Sequence, residues 1–275
     1  MDPVETFLRR INNLHLDDGP KRRFDVEVNA ILHVSSQNSS VGIDRICWRG
    51  DELVRLDEEE AVDVHSLSVV GWAGSENLLC QKTQPLDSLE QLWSMFSSVQ
   101  ELHIRGLRSG SPQTGRFLPF VEELSPKTIS LCGVHDPDNS ILQALWNILS
   151  KGQTKDFCLV DSVLKPELKD VLLMWVQVTP DWNSCSITDP ASQEDCMVMA
   201  KLAEEIYGNW MDAEEIAFSG QLFQIKSAHL QNVVPPGQFY EEHRKIRAAS
   251  AQISVLQDED MLTMFFFKSD ASYVS

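Results

Sequence analysis

One short pattern of apolar and polar positions keeps returning along the chain: apolar, any residue, apolar, any residue, then Gly or Asp. It reads Ile46-Cys47-Trp48-Arg49-Gly50, Leu67-Ser68-Val69-Val70-Gly71, Leu102-His103-Ile104-Arg105-Gly106 and Ile129-Ser130-Leu131-Cys132-Gly133. It continues as Phe157-Cys158-Leu159-Val160-Asp161, Cys185-Ser186-Ile187-Thr188-Asp189 and Ile216-Ala217-Phe218-Ser219-Gly220. First positions stand 21, 35, 27, 28, 28 and 31 residues apart. Alternation of this kind predicts a half-buried strand, and its steady return predicts a strand–helix repeat.

Helical spacing fills the intervals. Residues 86–96, after Pro85, put Leu89, Leu92, Trp93 and Phe96 on one stripe, and residues 139–149 do so with Leu142, Leu145, Trp146 and Leu149. Residues 166–176 open on Pro166 and carry Leu168, Val171, Leu172 and Trp175; residues 192–210 carry Cys196, Met199, Ala203, Ile206 and Tyr207. Pro119 limits residues 116–124 to a short helix or turn. A strand that returns after a helical crossover lies parallel to the one before it. Strands covered on both faces would be apolar throughout. Here apolar positions alternate with small or polar ones, so helices cover one face and the other stays open. The prediction is an α/β chain with an open, curved parallel sheet of strand–helix repeats.

Both ends differ from the middle, which divides the chain into three. Residues 1–40 read as a helical segment or cap, broken at Asp17-Asp18-Gly19-Pro20 before an apolar stretch over residues 26–34. Residues 41–235 hold the repeats. Residues 236–275 read as a helix near 240–249 and a strand pair, 253–256 and 261–267, around the turn Gln257-Asp258-Glu259-Asp260. This tail caps the array's last apolar layer. Within it, Phe265, Phe266 and Phe267 are either core or an aromatic docking site.

The outer spacing of Ile43-x-x-Ile46-x-Trp48, Val64-x-x-Leu67-x-Val69 and Val99-x-x-Leu102-x-Ile104 resembles the strands of leucine-rich repeats. Later copies depart from it at Pro126, Thr154 and Ala213, that family's asparagine is missing, and Gly or Asp stands one place earlier than its position. With the Met-Asp-Pro-Val start and the hairpin-like tail, the chain resembles divergent F-box-associated repeat proteins expanded in nematodes. Pro3, Val4, Phe7, Leu8, Ile11 and Leu14 are similar to the first helix of an F-box. The resemblance implies a leucine-rich-repeat-like solenoid that binds protein. It further implies substrate recognition in a cullin-type ubiquitin ligase, with the ligase adaptor held through residues 1–40.

Charge narrows the partners. The net charge is −18, from 41 acidic and 23 basic residues, and such a surface repels phosphate backbones and anionic membranes. Part of this acidity is local, in Asp51, Glu52, Asp57, Glu58, Glu59, Glu60 and Asp63, which read as a solvated face. No stretch reaches the ~18 apolar residues of a membrane span, and Glu5, Arg9 and Arg10 interrupt any signal-peptide core. The six cysteines show no CxxC pairing and lie mostly in apolar segments, as reduced core residues do. An intracellular protein, cytoplasmic or nuclear, is the expectation.

Chemistry-bearing motifs are absent: no GxGxxG after a strand, no phosphate-binding GxxxxGK[ST], no GxSxG and no HExxH. The seven histidines are scattered, none at metal-ligand spacing, and no metal or cofactor is expected. Asp136-Pro137-Asp138 can hold a cation or cap a helix; its place before a helix favours the cap. The expectation is therefore a non-enzymatic binding module. On the open face the candidate contacts are Arg45, Arg49, His103, Arg105, Ser130, Asp156 and Ser186, with the basic ones gathered toward the start. The alternative is an enzyme whose site lies at the carboxyl ends of the strands, where Asp161 and Asp189 are the first carboxylates to inspect.

Overall fold

The computed structural model describes residues 28–35, 40–47, 62–72, 83–85, 96–110, 112–163, 165–212, 220–239, 242–246 and 249–270. The strands are β1 (Val28–Ser35), β2 (Ser40–Cys47), β3 (Val62–Trp72), β4 (Thr83–Pro85), β5 (Phe96–Arg105), β6 (Thr128–Cys132), β7 (Asp156–Val160) and β8 (Ser184–Thr188). They continue as β9 (Gln221–Lys226), β10 (Glu242–Ile246), β11 (Ala249–Gln257) and β12 (Met261–Asp270). The helices are α1 (Pro112–Glu123), α2 (Ser140–Leu149), α3 (Leu168–Val178), α4 (Gln193–Asp212) and α5 (Leu230–Val233). All strands join one 12-stranded open sheet in the order β10-β11-β12-β9-β8-β7-β6-β5-β3-β1-β2-β4. The run from β1 through β3, β5, β6, β7 and β8 to β9 is parallel, and both flanks are antiparallel.

The fold class is thus the one the alternation implies: α/β, open and mostly parallel, with a C-terminal antiparallel pair, β11–β12, beyond the repeats. Four details differ. The copy at Ile46 is no parallel repeat strand, because β2 pairs antiparallel with β1 and β1 stands between β2 and β3. The copy at Ile216 lies outside the described residues except for Gly220, and the strand that pairs parallel with β8 is β9, which follows Gly220. The tail has a third strand, β10, within the stretch read as a helix near 240–249. Pro119 lies inside the 12-residue helix α1 instead of ending it. The predicted helix over residues 86–96 falls mostly outside the described residues, apart from Phe96 at the start of β5.

β6, β7 and β8 share one burial alternation. Ile129 and Leu131, Phe157 and Leu159, and Cys185 and Ile187 are buried under helices whose inner faces supply Leu145, Ile148, Leu172, Trp175, Met199 and Ile206. Each such side chain contributes about 1.5–3 kcal/mol by leaving water. Tilted and edge-on aromatic rings run through this layer, Phe157 to Trp175 (6.1 Å), Trp175 to Trp182 (5.8 Å), Trp182 to Phe266 (6.3 Å) and Phe266 to Trp210 (6.2 Å). The chain of rings carries the core from β7 across to β12. Trp146, expected in the α2 stripe, is instead 41% exposed. Ile141, Ala144, Leu145 and Ile148 centre the buried arc of α2, and Trp146 falls past its edge.

The departures at positions 126 and 154 also have a physical account. Thr154 is fully buried, but its hydroxyl donates to the Pro126 carbonyl (2.8 Å) and its carbonyl accepts from Trp175 Nε1 (2.9 Å). The polar group is therefore tolerated in the core because its hydrogen bonds are made.

Candidate binding face

Side chains opposite the core line three register rows across the parallel strands. The first runs Glu101, Thr128, Asp156, Ser184, Leu222; the second His103, Ser130, Cys158, Ser186, Gln224; the third Arg105, Cys132, Val160, Thr188, Lys226. Neighbours in a row project to the same side of the sheet. Most are half-buried, as small side chains between close strands must be, while Arg105 and Lys226 are exposed. The face is polarised: carboxylates in the row near the amino ends of the strands, cations in the row near the carboxyl ends, and between them a trough that runs from His103 through Ser130, Cys158 and Ser186 to Gln224.

Several of these groups are fixed. Asp156 accepts from Ser184 Oγ (2.6 Å) and Asn183 Nδ2 (3.2 Å), which ties β7 to β8. His103 Nε2 lies 3.4 Å from Glu101 Oε2. Gln224 Nε2 donates to Thr263 Oγ1 at 3.2 Å, which extends the middle row onto β12. Burial pushes the Cys158 thiol up, and the Ser130 hydroxyl partly offsets that by favouring the thiolate.

Of the residues expected from the sequence, His103, Ser130 and Ser186 share the middle row, Asp156 lies in the first and Arg105 in the third. Arg45 is on the middle register row too, through Ile31 and Ser68, but the interposed β1 puts it three strands from His103. Three strand spacings are about 14 Å, so Arg45 does not join His103 and Arg105 in one basic patch. Arg49 and most of the acidic run from Asp51 lie outside the described residues.

Sequence reading missed the far end of the face. Placing the last repeat strand at residues 216–220 left out Leu222, Gln224 and Lys226. The register continues from Leu222 to Phe265, and from Gln224 through Thr263 to Leu256. The alternation of β12 was the available signal: Leu262, Met264 and Phe266 are buried, while Phe265 and Phe267 are exposed and stacked at 6.1 Å and 18°.

The carboxyl ends, where the enzymatic alternative would act, are built by turn geometry. Gly106, Gly133, Asp161 and Asp189 adopt φ of 58°, 61°, 43° and 49°. Their amides continue the parallel ladder, donating to the carbonyls of Cys132, Val160, Thr188 and Lys226. Asp161 and Asp189 are both exposed. Between α3 and α4, a crevice lined by Lys165, Pro166, Pro190 and Asp195 has room for about one water. Asp136 is buried and accepts from the amides of Ile141 (3.2 Å) and Leu142 (2.8 Å), while Asp138 accepts from Ser140 N (3.1 Å). Both carboxylates therefore serve the start of α2. The described residues contain no group of three or more His, Cys, Asp or Glu that could hold a metal ion, and no helix long and apolar enough to cross a membrane.

Comparison of the chain with protein-family models, with curated proteins and with solved structures finds no match.

Proposed function

We propose that this chain is a non-enzymatic protein-interaction module that receives its partner on the open face of the sheet. The observation that supports this most is the asymmetry of β5–β9: helices cover one face, and the other carries three rows of mostly small side chains, the outer two forming an acidic and a basic margin. A floor of small side chains admits a partner's helix or loop closely, and charged margins fix its orientation more than its affinity. Area sets a further condition. Five strands by three rows cover about 480 Å², whereas a stable interface takes about 800 Å² from each partner. The partner must therefore reach the flanking strands as well.

Filling the trough tests the reading. Ser130→Arg with Ser186→Arg adds bulk on the open face without touching the core, so partner capture should be lost while circular dichroism stays unchanged. Charge reversal at Arg105 and Lys226 probes the basic margin in the same way. Undiminished capture by both variants would contradict the proposal.

The finer form makes this face the substrate-recognition surface of a cullin-type ubiquitin ligase, with residues 1–40 holding the adaptor. That form rests on the sequence resemblance. It requires that an adaptor co-purify with the full chain and be lost when residues 1–27 are deleted. Absence of an adaptor would remove this form and leave the binding face.

A further inference from the structure

Leu256, Phe265 and Phe267 are 51%, 39% and 43% exposed, whereas Phe266, between the two phenylalanines, is fully buried. The two outward rings stack on each other, Leu222 stands opposite Phe265, and Leu256 lies diagonally across on β11. Exposed apolar residues scattered singly are ordinary. These four share the far end of one sheet face, where the rest of the floor is small and polar.

Charge says what could cover them. The turn beside Leu256 presents three exposed carboxylates, Asp258, Glu259 and Asp260. Asp260 is held in place, its carbonyl accepting from Ser227 N at 2.7 Å, and the exposed Lys226 opposite Met261 offsets one of the three carboxylates and leaves the turn net acidic. The chain as a whole carries −18. A second copy would bring the same charge against this turn, and a nucleic acid or anionic lipid surface would be repelled too. A cationic segment with apolar side chains matches both the carboxylates and the rings.

We infer that the C-terminal end of the open face anchors a basic, apolar-bearing peptide segment of the partner. Its aliphatic or aromatic side chains lie against Phe265 and Phe267, and its Lys or Arg side chains face Asp258, Glu259 and Asp260. This inference rests on the open face being the binding surface, and names the chemistry that the face selects.

The test uses the full chain and short fluorescent peptides of alternating lysine and leucine, lysine and serine, or glutamate and leucine, read by anisotropy. The lysine–leucine peptide should bind and the other two should not. Phe265→Ser with Phe267→Ser should weaken that binding about tenfold or more, with thermal unfolding still cooperative because neither ring belongs to the buried core. Asp258→Lys with Asp260→Lys should weaken it similarly. Equal binding of the lysine–serine peptide, or none of the lysine–leucine peptide, would overturn the inference. So would a concentration-dependent dimer that the phenylalanine substitutions abolish, since the occupant would then be a second copy. Binding lost with Ser130→Arg and Ser186→Arg but kept with the phenylalanine variant would remove the anchor and leave the face. Binding unaffected by any of these would remove both.

Discussion

The Gly-or-Asp position that closes the repeat pattern is where sequence and backbone meet most directly. Residues 106, 133, 161 and 189 turn left-handed so that their amides can complete the parallel ladder. For an L-residue that conformation costs about 1–2 kcal/mol, less for Asp, and glycine, with no Cβ, escapes the cost. Asp189→Gly should therefore keep or slightly raise stability in urea, whereas Asp189→Val should lower it by about 1–2 kcal/mol. Asp136→Ala, which removes the acceptor for two amides of α2, should cost about 1–2 kcal/mol in the same measurement. Both sites were legible, one from its recurrence and one from its place before a helix. The exposure of Trp146 was not, because position 146 falls near the edge of the buried arc and only packing decides it. Thiols offer a pH check. Burial raises the Cys158 pKa, so its thiolate is scarcer than an ordinary cysteine's at a given pH. Its alkylation should set in at higher pH than that of a free thiol in a peptide, and mass spectrometry of labelled chain reads this directly.

At the level of elements, the strands that were found are those whose partners are their sequence neighbours. β6, β7 and β8 are each followed by a helix and paired with the next strand, so a local period reveals them. β10 reads Glu-His-Arg-Lys-Ile, with no period of its own, and is a strand because β11 pairs with it. β9 was misplaced because alternation also fits residues 216–220, and its position depends on pairing with β12, more than 30 residues on. β1 likewise lies between strands that follow it in sequence. The two faces of β12 give the sharpest test at this scale. Phe266→Ala removes a fully buried ring shared by Trp182 and Trp210 and should cost about 3–5 kcal/mol. Phe265→Ala, on the open face, should cost well under about 1 kcal/mol. A larger loss at Phe265 than at Phe266 would mean that the strand faces are assigned the wrong way round.

Across the whole molecule, the antiparallel flank is part of the core and not an appendage. Leu262, Met264 and Phe266 close the layer that begins at β3 with Leu67 and Val69, and the ring chain from Phe157 to Trp210 passes through Phe266. A chain ended after residue 241 should therefore lose cooperative thermal unfolding, since the core faces of β9, α3 and α4 would be left open. The same flank lengthens the binding surface, which the small area of the central trough requires. The alternation in the sequence disclosed an open face, but its charge margins and apolar end became visible only through the register. The central claim is that the partner lies on that face, and site-specific photo-crosslinking measures this most directly. A crosslinking residue at Ser130 or Ser186 should capture a partner from native extract, and one at Gln143 or Lys201, exposed on helices α2 and α4, should not. Capture from the helix positions alone would contradict the account.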